Sequence, residues 1–244
     1  SRSSFLAAAS HALRQPLQAL NLFLSALDQE ETSPRSSALL QKLHSSSDAL
    51  NELLNQILDV SNLDSNAHKP EQKAFALMPL IARLHANLEE AAKQKGLKIN
   101  LENDDLWVMS DAALIERLLN NLLDNALNYT DQGSINITVS KDSAGMITIS
   151  IEDTGIGISD EQQLFIFEEF YQANNQARNS IKGVGLGLSI VKRICNRLDI
   201  TLGMRSQLGV GTKFTITLPS TEAIETSSEE EPQLQPCDLQ GRCI

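Results

Sequence analysis

The chain has 244 residues, of which 41% are hydrophobic, enough for one large or two modest domains with real cores. Its formal net charge of −11 repels polyanions and no basic patch relieves it, so nucleic acid is excluded as a partner. No apolar run reaches the roughly 20 residues of a membrane-spanning helix, and no signal peptide is present. The expectation is a cytoplasmic piece of a longer protein, with membrane attachment only through an upstream segment.

From about Ser3 to Leu63 the pattern is helical. Phe5, Leu6, Ala9, Leu13, Leu17, Leu20, Leu24 and Leu27 recur at three- and four-residue steps, and Leu39, Leu43, Leu50, Leu53, Leu54, Ile57 and Leu58 continue them. The polar stretch Glu30–Arg35 contains Pro34 and reads as the turn of an antiparallel hairpin. Two such helices cannot bury their apolar stripes alone. A second copy completes a four-helix bundle, so a homodimer is expected.

From about Lys69 to Pro219 helices and strands alternate. Leu77–Lys95 reads as a helix stopped by Gly96, and Leu97–Leu101 as a short strand. Asp111–Tyr129 and Leu186–Leu198 read as helices. Ile135–Ser140, Met146–Glu152, Ile200–Arg205 and Thr212–Leu218 read as strands, the first two joined by an Asp142–Gly145 turn. The order predicts an α/β sandwich with a mixed, largely antiparallel sheet. Ser220–Ile244 is rich in Ser, Thr, Glu, Pro and Gln and is expected to be a disordered acidic tail or linker. The expected domains are therefore 1–66, 67–219 and the tail 220–244. Of the cysteines, Cys195 fits a buried helical position, whereas Cys237 and Cys243 lack partners at metal-ligand spacing.

Four short stretches carry chemistry. His11, in Ser10–Leu17, lies four residues before Gln15 on one helical face, and Pro16 interrupts the helix at a cost of roughly 3 kcal/mol. An imidazole with a free nitrogen is a nucleophile toward phosphoryl groups. His44, His68 and His85 have no such setting and read as structural or solvated. Asn121, Asn125 and Asn128 fall at i, i+4 and i+7, a row of amides on one helix. That row suits either a polar cleft, in which an amide oxygen is a hard ligand for Mg²⁺, or a solvated helix face.

Asp153-Thr154-Gly155-Ile156-Gly157-Ile158 follows an apolar strand. Glycines there let backbone approach a ligand, and the carboxylate accepts a hydrogen bond from an exocyclic amine. Alone, the triplet fits an aspartic-protease loop as readily, although the chain lacks a protease's β-rich pattern. Gly183-Val184-Gly185-Leu186-Gly187-Leu188 opens a helix whose N-terminal N–H groups favour phosphate. No βαβ unit surrounds it, so it is not a dinucleotide fingerprint. The polar run Gln172–Lys182 before it reads as a flap over a bound nucleotide.

In this order the stretches resemble the boxes of the sensor histidine kinases: phosphoacceptor box, asparagine box, first glycine box, phenylalanine box (Ile166–Tyr171) and second glycine box. Gly209–Phe214 precedes the last strand, as it does in that family. The resemblance covers about Ser3–Pro219. It implies a dimeric helical hairpin followed by the ATP-binding sandwich also used by gyrase, the Hsp90 chaperones and MutL. It further implies His11 as phosphoacceptor with Gln15 beside it, Asn125 as Mg²⁺ ligand and Asp153 as acceptor for the adenine amine. Tyr129 and Thr212 would line the adenine pocket; Asn121, Asn128, Gly155, Gly157, Ile158, Gly183, Gly185, Leu186 and Gly187 would complete the ATP site. The implied activity is ATP-dependent autophosphorylation, then transfer to an aspartate of a response-regulator receiver domain.

The chain departs from the family at three places. Ala12 stands where an acidic residue usually follows the histidine, Asn128 where lysine is frequent, and Gln172 where arginine is frequent. Arg178 or Lys182 in the flap are candidate substitutes for the missing cations. The departures sustain an alternative, a module with weak autokinase activity that works mainly as phosphatase or docking partner. An ATPase clamp without phosphohistidine is the third reading, opposed by His11 and the Gln15-Pro16 pair.

Overall fold

The computed structural model describes residues 17–18, 20–22, 24, 34–64, 69–172 and 185–222. Pro34 opens the first long helix, α1 (Pro34–Asp64), where a missing N–H costs nothing. Ser47 Oγ donates to Asn21 Oδ1 at 2.6 Å, tying α1 to helical residues upstream. Leu17, Leu24, Leu40 and Leu54 are buried, whereas Leu39, Leu43 and Leu50 are exposed along α1.

The following segment builds a two-layer sandwich. Helix α2 (Leu77–Lys95) buries Leu77, Leu80, Ile81, Leu84, Leu88 and Ala92 at helical spacing. It stops at Gly96, whose positive φ of 72° lets the backbone close over the carbonyls of Ala92 and Lys93. Helix α3 (Ala112–Tyr129) starts where Asp111 accepts a hydrogen bond from Leu114 N–H at 3.1 Å. A single-turn helix, α4 (Asp160–Gln163), carries a reciprocal cap between Ser159 and Gln162. Helix α5 (Gly187–Leu198) buries Ile190, Val191, Ile194 and Cys195.

Among the described residues, seven strands form the other layer: β1 (Lys73–Ala76), β2 (Lys98–Asn103), β3 (Trp107–Ser110), β4 (Ser134–Lys141), β5 (Met146–Asp153), β6 (Thr201–Gln207) and β7 (Gly211–Thr221). Their order is β1-β3-β7-β5-β4-β2, and β6 also pairs with β7. All pairings are antiparallel except β2 with β4. Period-two alternation sends Ile135, Ile137, Val139, Ile147, Ile149, Ile151, Phe214, Ile216 and Leu218 into the core. Truncating one of the fully buried isoleucines to alanine would cost about 2–5 kcal/mol. On the other face, Thr138 and Ser150 share a 3.0 Å hydrogen bond and Lys213 pairs with Glu152.

The mixed, mostly antiparallel sheet under helices is the expected fold. The sequence reading missed β1, β3 and α4, each of four residues and too short to display a period. Strand β7 runs on through Ser220 and Thr221, which pair with Val108 and Trp107 of β3. The two parts of the chain also touch. Ile57, Val60 and Leu63 of α1 pack on the sandwich core, Arg197 Nη1 donates to Leu63 O at 2.8 Å, and Asp59 forms an ion pair with Arg117 of α3. No helix among the described residues is long and apolar enough to cross a membrane.

Candidate functional site

A cavity of about 120 Å³ lies where α3, α5, the end of β5 and the start of β7 converge. At one end is Asp153, last residue of β5, only 8% exposed. Pairing to Ile135 of β4 and Thr212 of β7 fixes its backbone on both sides. Gly155 N–H donates to its Oδ1 at 2.9 Å. Burial pushes the Asp153 carboxyl above its ordinary pKa of 3.8; the backbone N–H groups of Gly155 and Thr212 oppose this, and the neighbouring Glu152 charge adds to it. Such a carboxylate has little solvent to satisfy it and strongly favours a donor brought by a ligand.

Glycine is required around this carboxylate. A Cβ on Gly155 would lie 2.3 Å from Tyr129 O and 2.8 Å from Asp153 Oδ1. Gly157 has φ +66°, and a Cβ there would lie 1.9 Å from Gln207 O. Ser206 Oγ accepts from Ile158 N–H at 2.8 Å and lies 2.8 Å from Thr212 Oγ1, fastening the glycine loop to β7. Thr130 Oγ1 is buried beside Gly155 with no hydrogen-bond partner among the described residues. Of the two side chains, Asp153 lines the cavity and has capacity for a ligand, whereas Thr130 lies behind the glycine loop and does not line it.

The other end is built from amides. Asn121, Asn125 and Asn128 of α3 all line the cavity, together with Asp124. Asn121 Nδ2 donates to Arg117 O at 2.8 Å, which leaves its Oδ1 available. Asn125 Nδ2 is buried without a hydrogen-bond partner among the described residues. Opposite them is the N-terminus of α5: a Cβ on Gly187 would lie 3.1 Å from Asn121 Oδ1 and 3.9 Å from Asn125 Nδ2. Phe170 N–H donates to Gly185 O at 2.9 Å, so the phenylalanine box and second glycine box meet at the same rim. Among the described residues lining the cavity there is no lysine or arginine, and two carboxylates, Asp124 and Asp153, are present.

The cavity thus gathers Asn121, Asn125, Asn128, Tyr129, Asp153, Gly157, Ile158, Gly185, Gly187 and Thr212. Gly155 shapes the loop behind Asp153 without lining the cavity. Leu186 does not line it either: its side chain is buried in the core, and its carbonyl accepts from Ile190 N–H and Ser189 Oγ. His11, Gln15 and Gly183 lie outside the described residues. The sequence reading missed Asp124, Ile156, Ile166, Tyr171, Leu188 and Phe214 as wall residues, though each lies in or beside a quoted motif. It also missed Gln56, which comes from α1 and which no local pattern marks.

The geometry agrees with the similarity of the chain to known proteins. Residues 110–222 match the family of histidine kinase-, DNA gyrase B- and HSP90-like ATPases. Residues 1–66 match the His Kinase A phospho-acceptor domain. The autoinducer 2 sensor kinase/phosphatase LuxQ of Vibrio cholerae is 33% identical over 89% of this chain and 26% of its own length. The sensor histidine kinase RcsC of Escherichia coli is 31% identical over 90% of this chain and 23% of its own. The chain therefore spans about a quarter of these relatives. Full-length ShkA in complex with AMPPNP superposes with a TM-score of 0.77 at 26% identity, over 90% of this chain and 46% of that one. The catalytic domain of the histidine kinase ThkA gives 0.54 at 29% identity, over 62% and 97%. With a phospho-acceptor domain followed by an ATP-binding domain whose cavity joins a buried aspartate to a row of amides, the chain belongs to the sensor histidine kinases as a catalytic core.

Proposed function

We propose that this core transfers the γ-phosphoryl group of ATP to His11 and then to an aspartate of a response-regulator receiver domain. The observation that carries the reading is the chemical polarity of the cavity, with a buried carboxylate at one end and, beside the N-terminus of α5 at the other, an amide unsatisfied among the described residues. The adenine amine donates to Asp153, and Tyr129, Ile156 and Thr212 form the adenine wall. The phosphates extend toward Asn121, Asn125 and the first N–H groups of α5. Among the described residues no group of three or more His, Cys, Asp or Glu is arranged for a metal. Amide oxygens suit a hard cation already shared with phosphate, so Asn125, with Asn121 beside it, is the assigned holder of Mg²⁺. When bound, such an ion would supply positive charge against the phosphates, which the described walls of the cavity do not offer.

In the transfer a His11 nitrogen attacks the γ-phosphorus in line, the bond to the β,γ-bridging oxygen breaks, and ADP leaves with the electron pair. The attacking nitrogen is the unprotonated one with the free lone pair; the proton on the other ring nitrogen departs to solvent, since Ala12 offers no base. Domain limits of 1–66 and 67–221 accompany this reading, β7 carrying the second domain two residues past the expected 219, with dimerisation through the hairpin; the exposed Leu39, Leu43 and Leu50 supply an apolar stripe for it. One reported relative is a sensor histidine kinase and the other a sensor kinase/phosphatase, and the match of residues 1–66 to a phospho-acceptor domain favours an autokinase over a module working mainly as phosphatase.

Labelling with ATP carrying a radioactive γ-phosphate tests the reading. The chain should acquire acid-labile, base-stable phosphate, and His11→Gln should abolish it with ADP affinity unchanged. Ala12→Glu should accelerate labelling at least about tenfold, the low end of positioned-base effects. Undiminished label in His11→Gln removes the phosphoacceptor assignment.

A further inference from the structure

The phosphate end of the cavity has one wall that the ATP-binding domain does not supply. Gln56 belongs to α1, eight residues before its end, yet it lines the cavity with Asn121, Asp124 and Asn125. It also lines an adjoining polar crevice of about 410 Å³, where Asn121 and Asp124 recur beside Arg117 and Asp59 but neither Asp153 nor Thr212 appears. Shared walls place Gln56 at the amide end and away from the carboxylate end.

Specific contacts hold it there. Asp59, three residues on and hence on the same helical face, forms its ion pair with Arg117, and both side chains are about three-quarters buried. Arg117 is half a core residue; burial draws its pKa down to about 10, so its charge has strong reason to keep a carboxylate partner. One turn further, Arg197 grips Leu63 O. Arg117 in turn presents its carbonyl to Asn121 Nδ2. Contacts thus run continuously from α1 to the first amide of the site.

We infer that Gln56 is a positioning residue for the polyphosphate of the bound nucleotide, held against it by the Asp59–Arg117 pair. The inference rests on the nucleotide reading of the cavity and adds that α1 completes the site. Two consequences follow from the chemistry. Gln56 contributes a neutral amide where the described walls have carboxylates and no cation, so charge at this position acts on phosphates and not on adenosine. Docking of α1 and polyphosphate binding also strengthen each other by the same factor, as linkage requires.

The test is calorimetry on the full chain with Mg²⁺–ADP and with adenosine. Gln56→Ala and Asp59→Ala should each weaken ADP about fivefold and leave adenosine unchanged, a loss the size of one ordinary hydrogen bond. Asp59→Glu should restore most of the affinity. Gln56→Lys should tighten ADP about fivefold, again without effect on adenosine, since a new cation would face the phosphates. A gain specific to the phosphate-bearing ligand is not a result that disturbed packing can imitate. Unchanged ADP affinity in the Gln56 variants, or equal shifts for ADP and adenosine, overturns the inference. If the unaltered chain bound adenosine and ADP equally or not at all, the nucleotide reading itself would fall with it.

Discussion

The two ends of the cavity are built in different ways. At the Asp153 end the walls are backbone: three paired strands, a loop without room for a Cβ at Gly155 or Gly157, and a hydrogen bond from Ile158 N–H to Ser206. At the amide end the walls are side chains on two helices, one with an unsatisfied amide, and a further wall is borrowed from α1. Backbone walls are set by the fold and remain fixed while ligands come and go. Side-chain walls held by a few polar contacts respond to whatever docks beside them. The contrast assigns recognition of the base to the rigid end and chemistry at the phosphates to the adjustable one.

The largest test strikes the rigid end through its backbone. Gly157→Ala must place a Cβ against the Gln207 carbonyl at a positive φ, a strain of about 3 kcal/mol. Tm should fall by roughly 6 °C or more, given about 2 °C per kcal/mol for a chain of this size. Adenosine and ADP should lose affinity together. If only ADP suffered, the loop would serve the phosphates and the division between the ends would be misplaced.

A smaller effect is expected at Asp153. Asp153→Asn replaces an acceptor pair by a half-donor, so ADP should weaken at least about tenfold and discrimination against GTP should fall. The unaltered chain should bind ADP fully above the raised Asp153 pKa and lose affinity as pH falls through it, beginning at a higher pH than an ordinary aspartate would. Stability has the opposite sign. A folded-state pKa above the unfolded one means that the charged form costs stability at neutral pH, a cost relieved as pH falls between the two values. Asp153→Asn should therefore hold or raise Tm at pH 7 while losing ligand. A parallel fall of Tm and affinity would show the carboxylate to be structural.

The rigid end was also the more legible in sequence. Asp153, Gly155 and Gly157 sit in one run after a strand of strict alternation, and local geometry forces what they do. The helices α2, α3 and α5 announced themselves through unbroken apolar spacing, with Gly96 and Asp111 marking ends by their own conformations. Strands β1 and β3 were not legible because four residues show no period and their pairing partners lie far along the chain. Leu186 misled for a related reason: beside phosphate-suited glycines, its side chain follows the apolar stripe of α5 into the core. Gln56 carried no signal because its role depends on how α1 meets α3, a contact 65 residues away in the case of Gln56 and Asn121.

The central claim is that one cavity reads adenine at Asp153 and polyphosphate at the α3 amides, and Asn125→Ala tests it most directly. Calorimetric titration with adenosine, and with ADP in the presence and absence of Mg²⁺, separates the two ends in one protein. The account predicts unchanged adenosine affinity, with ADP weakened about tenfold only when Mg²⁺ is present, comparable to losing one charge-assisted contact. Equal losses for adenosine and ADP, independent of Mg²⁺, would contradict it.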